Sequence, residues 1–384
     1  MYVSALLLVD ALLQPVMLLN WVSLFGLFFP STAERASGIV WKMLFTIVGL
    51  ICGMAVPPAL CGHGWPHRGR MAYMSALSAT LMVFAWGATA GVVSRIDAEA
   101  AKSAASSRSG KAAGKEAGEA TGGDGFVVSF LSTLRNRTNM TLLAGLFLIQ
   151  LGNNLMGSTF QMYGKYVYRV GTEDIGGGVM LDPAAQASIS LLSFYVAAIA
   201  AAGLWTRVAT ALGPIRTISL ECVVYGLSVL LYVMPAPNFW IRTGVTFLNG
   251  CALSGFLSLP DIALETVIDE EESLTGTRRQ GIYHGVRGVM QKLAAATQGI
   301  VVGKTLSAYG YDATFEVQGD GAVFALKVLM VFVPAALIVA AAGVLTLFPL
   351  QGASLDAMLA RLKATRARLR GESGNNDAED KKAK

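Results

Sequence analysis

VFALKVLMVFVPAALIVAAAGVLTLFPL, from Val323 to Leu350, is a nearly continuous apolar run. A hydrocarbon core about 30 Å thick takes roughly 20 apolar residues as one helix, so this stretch is long enough to cross it. Eight further runs meet the same criterion: Tyr2 to Phe28, Ile39 to Leu60, Met71 to Val93, Thr141 to Tyr163, Ala185 to Trp205, Ile218 to Val233, Phe239 to Leu259 and Tyr283 to Leu306. They predict an all-α, polytopic membrane protein with about nine spans. Composition agrees: of 384 residues 54% are hydrophobic and 14% charged, where a soluble domain carries about 25% charged residues. The mean hydropathy is +0.53.

The net charge of +5 does not point to a nucleic-acid partner, because the basic residues lie mainly in loops between apolar runs and in the tail. In a membrane protein such a distribution sets orientation. Arg35, Lys42, Arg95, Arg135, Arg137, Arg207, Arg216, Arg278 and Arg279 share one side with the tail, against only Arg68, Arg70, Lys165, Arg169 and Arg242 on the other. The C-terminus is therefore expected in the cytoplasm, with the plasma membrane as the expected location. Four units follow: a three-helix bundle over 1–95, a flexible cytoplasmic linker rich in Ala, Ser, Gly and Lys over 96–137, a six-helix bundle over 138–350, and a tail over 351–384. In the tail Leu355, Met358, Leu359 and Leu362 share one face, as in an amphipathic helix at the inner membrane surface. The sequons at Asn136 and Asn139 fall on the cytoplasmic side, where glycosylation is not expected.

Polar groups inside apolar runs are the site candidates, since an ionisable residue at membrane depth costs several kcal/mol and normally faces the bundle interior, a partner or water. Lys292 lies within a stripe of Gly281, Gly285, Gly288, Ala295, Gly299 and Gly303. It reads either as a charge facing a transport cavity or as a snorkelling or packing residue in a helix–helix seam. Gln150, Asn154, Ser158 and Gln161, with Asn153 beside them, follow one face of the fourth span. A polar cavity wall and interhelical hydrogen bonding explain them equally well. Asp10 is a further intramembrane acid, near the chain start. After the seventh span come Asp261, Glu265 and Asp269 to Glu272, then Arg278 and Arg279. Glu270 to Glu272 read as a solvated loop, while Asp261 and Glu265, next to Pro260, are placed to cap helices or to pair with the arginines in a cytoplasmic gate.

Signatures of an enzyme are absent: there is no His-Glu-x-x-His, no Gly-x-Ser-x-Gly and no Gly-x-x-x-x-Gly-Lys-Ser/Thr. Three histidines, His63, His67 and His284, and four cysteines without Cys-x-x-Cys spacing give no metal site and no disulfide framework.

The stretch LPDIALETVIDEEESLTGTRRQGIYHGV, Leu259 to Val286, continues to Gln291-Lys292-Leu293. It resembles the acidic-loop pattern of the glycoside-pentoside-hexuronide:cation symporter branch of the major facilitator superfamily, which includes melibiose carriers and sodium-dependent lysophospholipid transporters. NWVSLFGLFFPSTAERAS, Asn20 to Ser37, is similar to that family's Pro-Tyr-x-Ala-Leu segment followed by Glu-Arg-Thr, with Asn20 and Trp21 in place of Pro and Tyr and with Glu34 and Arg35 matching. Trp205 to Gly213 resembles its Trp-x-Arg loop. The resemblance implies the major facilitator fold, the nine spans standing for the fourth to twelfth helices with the first three and their acidic cation-binding positions lacking. It implies alternating access, with a cation gradient of Na+ or H+ driving a sugar or related small solute inward by a monomer that needs only the lipid bilayer and no other cofactor. Lys292, Gln150, Asn154, Gln161 and Asn20 would then line the cavity, and Asp261, Glu265, Arg278, Arg279, Glu34 and Arg35 would form the cytoplasmic gate. The alternatives are a membrane protein without transport activity, structural or regulatory, and a lysolipid transporter.

Overall fold

The computed structural model describes residues 130–364 apart from 179, 258, 277, 278 and 353, together with the isolated positions 49, 76, 80 and 87. The first three expected spans otherwise lie outside the described residues, as do most of the linker and the tail beyond 364. Gly49, Ala76, Thr80 and Gly87 are helical, and the Thr80 hydroxyl donates to the Ala76 carbonyl one turn back.

The rest is a bundle of six membrane-length traverses. Helix α1 (Arg137–Tyr166) is capped by Asn136, whose side chain accepts from the N–H groups of Thr138 and Asn139. A short hairpin, β1 (Glu173–Asp174) and β2 (Met180–Leu181), leads to α2 (Pro183–Leu212), with Asp182 as cap and a proline in the first turn. Then come α3 (Pro214–Val229), tightening into a 3₁₀ turn at Leu230–Val233, and α4 (Phe239–Leu253). A second 3₁₀ turn at Ser254–Leu257 separates α4 from α5 (Leu259–Thr275). The sequence closes with α6 (Gln280–Ala308), α7 (Asp320–Lys327) and α8 (Val333–Thr346), the last two joined by a wider π turn at Val328–Phe332. Pro334 accounts for that turn, since it has no N–H to give the preceding turn.

Two differences from the sequence reading concern charged stretches. Phe130 to Arg135 are already helical, within the span expected to be linker. The acidic run Glu270 to Glu272, expected as a solvated loop, continues α5 as helix and is half-buried. Partners from elsewhere in the chain, described below, replace the water that a lone acidic run would need.

Five traverses among the described residues are long and apolar enough to cross a membrane: Arg137–Tyr166, Ala185–Leu212, Pro214–Val233, Phe239–Thr275 and Asp320–Thr346. The sixth, α6, has 29 residues and is about 43 Å long, so it has the length. It falls short in hydropathy because it carries His284, Arg287, Gln291, Lys292, Gln298 and Lys304.

The apolar core lies among α1, α3, α5 and α8, where Leu142, Ile149, Ile218, Leu264, Ile268 and Ile338 are at most 1% exposed. Close approach there depends on single glycines. A Cβ on Gly145 or Gly152 of α1 would lie 2.7 Å from Leu345 or 3.0 Å from Ile338 of α8, and one on Gly226 of α3 would lie 2.6 Å from Val339. A Cβ on Gly250 of α4 would meet the Phe194 carbonyl oxygen of α2 at 2.1 Å. Among the described residues the glycine stripe of α6 meets no neighbour: a Cβ on Gly281, Gly288, Gly299 or Gly303 would have nothing within 4 Å. Residues 354–364 form a further helix whose Met358 and Leu362 are 5% and 4% exposed. Its apolar face is thus packed on the bundle, with Arg361 and Lys363 outward.

Candidate functional site

Helices α1 and α6 run parallel. The Asn136 amide, just ahead of α1, donates to the Tyr283 hydroxyl at 3.4 Å near the start of α6, and the rings of Tyr166 and Tyr311 meet edge to face beyond their far ends, 5.7 Å apart. The end where both helices start is here called proximal, the other distal. This register sets Lys292 level with about Gly145 to Phe147, roughly one turn nearer the proximal end than Gln150. Lys292 stands 12 residues into α6, about 18 Å along a helix rising 1.5 Å per residue. It is exposed on the open face of α6.

On α1 the Gln150 amide donates to Asn154 Oδ1 at 2.9 Å, and both residues are half-buried. Asn153 is a strut: its Oδ1 accepts from the Tyr225 hydroxyl of α3 at 2.8 Å. Ser158 bonds back to the Leu155 carbonyl of its own helix, and Gln161 is exposed toward the distal end. The amide face therefore divides into a packing element, Asn153, and an open pair, Gln150 about one turn and Asn154 about two turns beyond the Lys292 level.

At the proximal end α5 and α6 run antiparallel and are joined by a ladder of polar contacts. Arg287 pairs with Asp261. Glu265 accepts from the Gln280 amide at 2.7 Å and lies 3.4 Å from His284 Nε2. Glu271 accepts from the Tyr283 hydroxyl at 2.7 Å and meets Arg279 at 3.7 Å. Asp261 and Glu265 sit four residues apart on α5, and His284 and Arg287 three apart on α6, so each pair shares a helix face. The side chains of Asp261 and Arg287 are only 19% and 17% exposed. Of the expected gate, Asp261, Glu265 and Arg279 belong to this ladder, while Arg278, Glu34 and Arg35 lie outside the described residues, as do Asn20 and Asp10. Sequence reasoning missed Arg287, His284, Tyr283 and Glu271. The rule that singles out Lys292, an ionisable group inside an apolar run, also singles out Arg287.

The distal end is tied by a second cluster. Glu173 of β1 accepts from the Phe239 N–H at 2.8 Å and from Arg242 at 2.5 Å. These donors, the backbone N–H foremost, hold its carboxyl below the usual carboxylate range. Arg242 also donates to Gln186 Oε1 at 2.7 Å, and Gln186 donates to the Gly171 and Leu181 carbonyls. The turn between the strands uses Gly176, Gly177 and Gly178, all at positive φ, a conformation that residues with a Cβ rarely adopt. Among the described residues no group of three or more His, Cys, Asp or Glu side chains could hold a metal ion.

The described residues thus present a half-open amide pair on α1, an exposed lysine on α6, and ion pairs between α5 and α6 at the proximal end. The pattern of the MFS/sugar transport protein family matches residues 178–352, from the hairpin through α8. The putative glycoside/cation symporter YagG of Escherichia coli strain K12 is 29% identical over 146 residues, which cover 38% of this chain and 32% of that protein. The match thus spans about a third of the relative's length. These matches liken residues 178–352 to the MFS/sugar transport protein family and a stretch of the chain to a putative glycoside/cation symporter.

Proposed function

We propose that the protein is a secondary active transporter that couples the movement of Na+ or H+ to that of a glycoside or related small solute by alternating access. The observation that carries this reading is the composition of α6: it is membrane-length, yet too polar to be lipid-covered all round, and it sets Lys292 in its middle third, about one turn from the level of Gln150 and two from that of Asn154. Amide and ammonium groups donate to the hydroxyl and ring oxygens of a sugar. In such a carrier a cation gradient biases which side the site faces. The antiparallel ladder between α5 and α6 serves as the proximal gate, with Asp261, Glu265, Arg279, His284 and Arg287 in it. The proximal end and the C-terminus are cytoplasmic, and the membrane is the plasma membrane.

Purified protein in liposomes, given a radiolabelled glycoside panel and an inward Na+ or H+ gradient, should accumulate at least one glycoside only when the gradient is present. Lys292→Ala should lower that uptake by about tenfold or more, as expected when one charged hydrogen bond to solute or ion is lost, while its elution in detergent stays monodisperse. Gradient-independent flux would remove coupling from the reading, and undiminished uptake by the variant would remove Lys292 from the site.

A further inference from the structure

Glu221 lies in the middle of α3, is 2% exposed, and takes no part in the ladder or the amide face. It points at the break in the fourth traverse. Its Oε1 accepts from the Phe256 N–H at 2.5 Å, and the N–H of Gly255 is turned to it as well. Its Oε2 has no hydrogen-bond partner and lies where a side chain on residue 255 would go: a Cβ there would be 2.7 Å from Oε2 and 2.9 Å from Cδ.

The backbone around the break is accounted for group by group. In a continuous helix the Cys251 carbonyl would take the Gly255 N–H. Here Trp205 Nε1 of α2 donates to Cys251 O at 2.9 Å, and the Gly255 N–H is turned to Glu221. The Ser254 hydroxyl donates across to the Ala198 carbonyl of α2 at 2.6 Å. Pro260, in the first turn of α5, has no N–H for the Phe256 carbonyl. A stretch of 3₁₀ inside a long traverse marks a place where one segment moves relative to the next. The segment after this break, α5, carries Asp261 and Glu265.

We propose that Glu221 is a positioning residue: it holds the break at residues 254–257, and through it sets where α5, with its half of the α5–α6 ladder, stands against α6. The neighbouring α3 supplies from outside the traverse the acceptor that the broken helix cannot supply from within. Gly255 is required because the carboxyl occupies its side-chain space. The inference rests on the transport reading only for the purpose of the motion.

The test is hydrogen–deuterium exchange of the detergent-solubilised full chain, read by peptide mass. It needs no substrate, so its failure is distinct from a failure of the transport reading. Glu221→Ala should speed exchange about tenfold or more over residues 254–272 and 280–287, with α1 and α8 unchanged. Glu221→Gln should stay within about twofold of the parent, because its carbonyl keeps the acceptor and the unpartnered oxygen loses nothing. Gly255→Ala should reproduce Glu221→Ala from the opposite helix, by pushing the carboxyl off the break. Combining Glu221→Ala with Gly255→Ala should be no worse than Glu221→Ala alone, since the methyl then fills vacated space. Multiplying effects in the double variant, a Gln variant that behaves like Ala, or loosening at 254–257 that leaves 261–272 and 280–287 unmoved would each overturn the proposal. Should Glu221→Ala not fold, parental exchange in Gly255→Ala would overturn it equally.

Discussion

Arg287 and Asp261 face each other across two helices with most of their surface out of contact with solvent. Removing one partner leaves the other charge half-buried and unmatched, at a cost of about 1.5–3 kcal/mol for a charged hydrogen bond. If the pair closes the proximal gate, Arg287→Ala and Asp261→Ala should each cut transport about tenfold, and exchanging the two side chains should restore much of it, as measured by liposome uptake. Glu173 gives a test that depends on pH. Its carboxyl is held below the usual range by the Phe239 N–H and by Arg242, so its contribution is fully present above the unfolded carboxylate value of about 4.3 and is lost as pH falls through the depressed folded value. The Trp240 indole donates to the Ile175 carbonyl in the turn beside Glu173, so its fluorescence reports the hairpin. That signal should hold from pH 7 to about pH 5 and change only below the usual carboxylate range, whereas Glu173→Gln should show the acid signal already at pH 7.

Among elements, α5 and α6 show where the sequence was legible and where it was not. Apolar length located five traverses of the described bundle, because lipid leaves a helix no other way to satisfy its backbone, and the run Tyr283 to Leu306 fell on α6 although that helix is too polar to meet the same measure. The end of α5 could not be read that way: Glu270 to Glu272 look like loop in isolation, and partners from other elements, among them the Tyr283 hydroxyl and Arg279 on Glu271, make a helix tolerable there. Periodicity misled for the glycines too. The regular stripe on α6 meets no described neighbour, while the close approaches use single glycines, Gly145, Gly152, Gly226 and Gly250, that form no repeat. Their need for hydrogen as a side chain is set by the partner helix, which local sequence does not encode. Gly250 is the most severe case, since a methyl there would lie 2.1 Å from backbone oxygen of α2 and neither atom is the end of a flexible side chain. Gly250→Ala should destabilise the α2–α4 pair by about 1–3 kcal/mol, the usual cost of overpacking, and lower the melting midpoint in detergent. Gly299→Ala on the open face of α6 should leave that midpoint unchanged.

For the whole molecule, the charge bias between loops and the charges on the bundle's two ends must agree if the orientation is right. The proximal end carries Arg135, Arg137, Arg207, Arg216 and the 354–364 helix with Arg361 and Lys363, whereas the distal end has Lys165, Arg169 and Arg242 of α4, the last bound to Glu173 of the hairpin. Positive residues near span ends are retained on the cytoplasmic side, so the proximal end should face the cytoplasm. Lys292, Gln150 and Asn154 are singled out in the sequence by depth and spacing, but their relative levels follow from the parallel pairing of α1 with α6, which no local pattern fixes. Labelling intact cells decides the orientation. In a version with Cys52, Cys61, Cys222 and Cys251 replaced by serine, a cysteine at Gly177 in the distal turn should react with a membrane-impermeant maleimide in intact cells. One at Lys363 should react only after the membrane is permeabilised. The reverse pattern would place the ladder of α5 and α6 outside, and the gate with it.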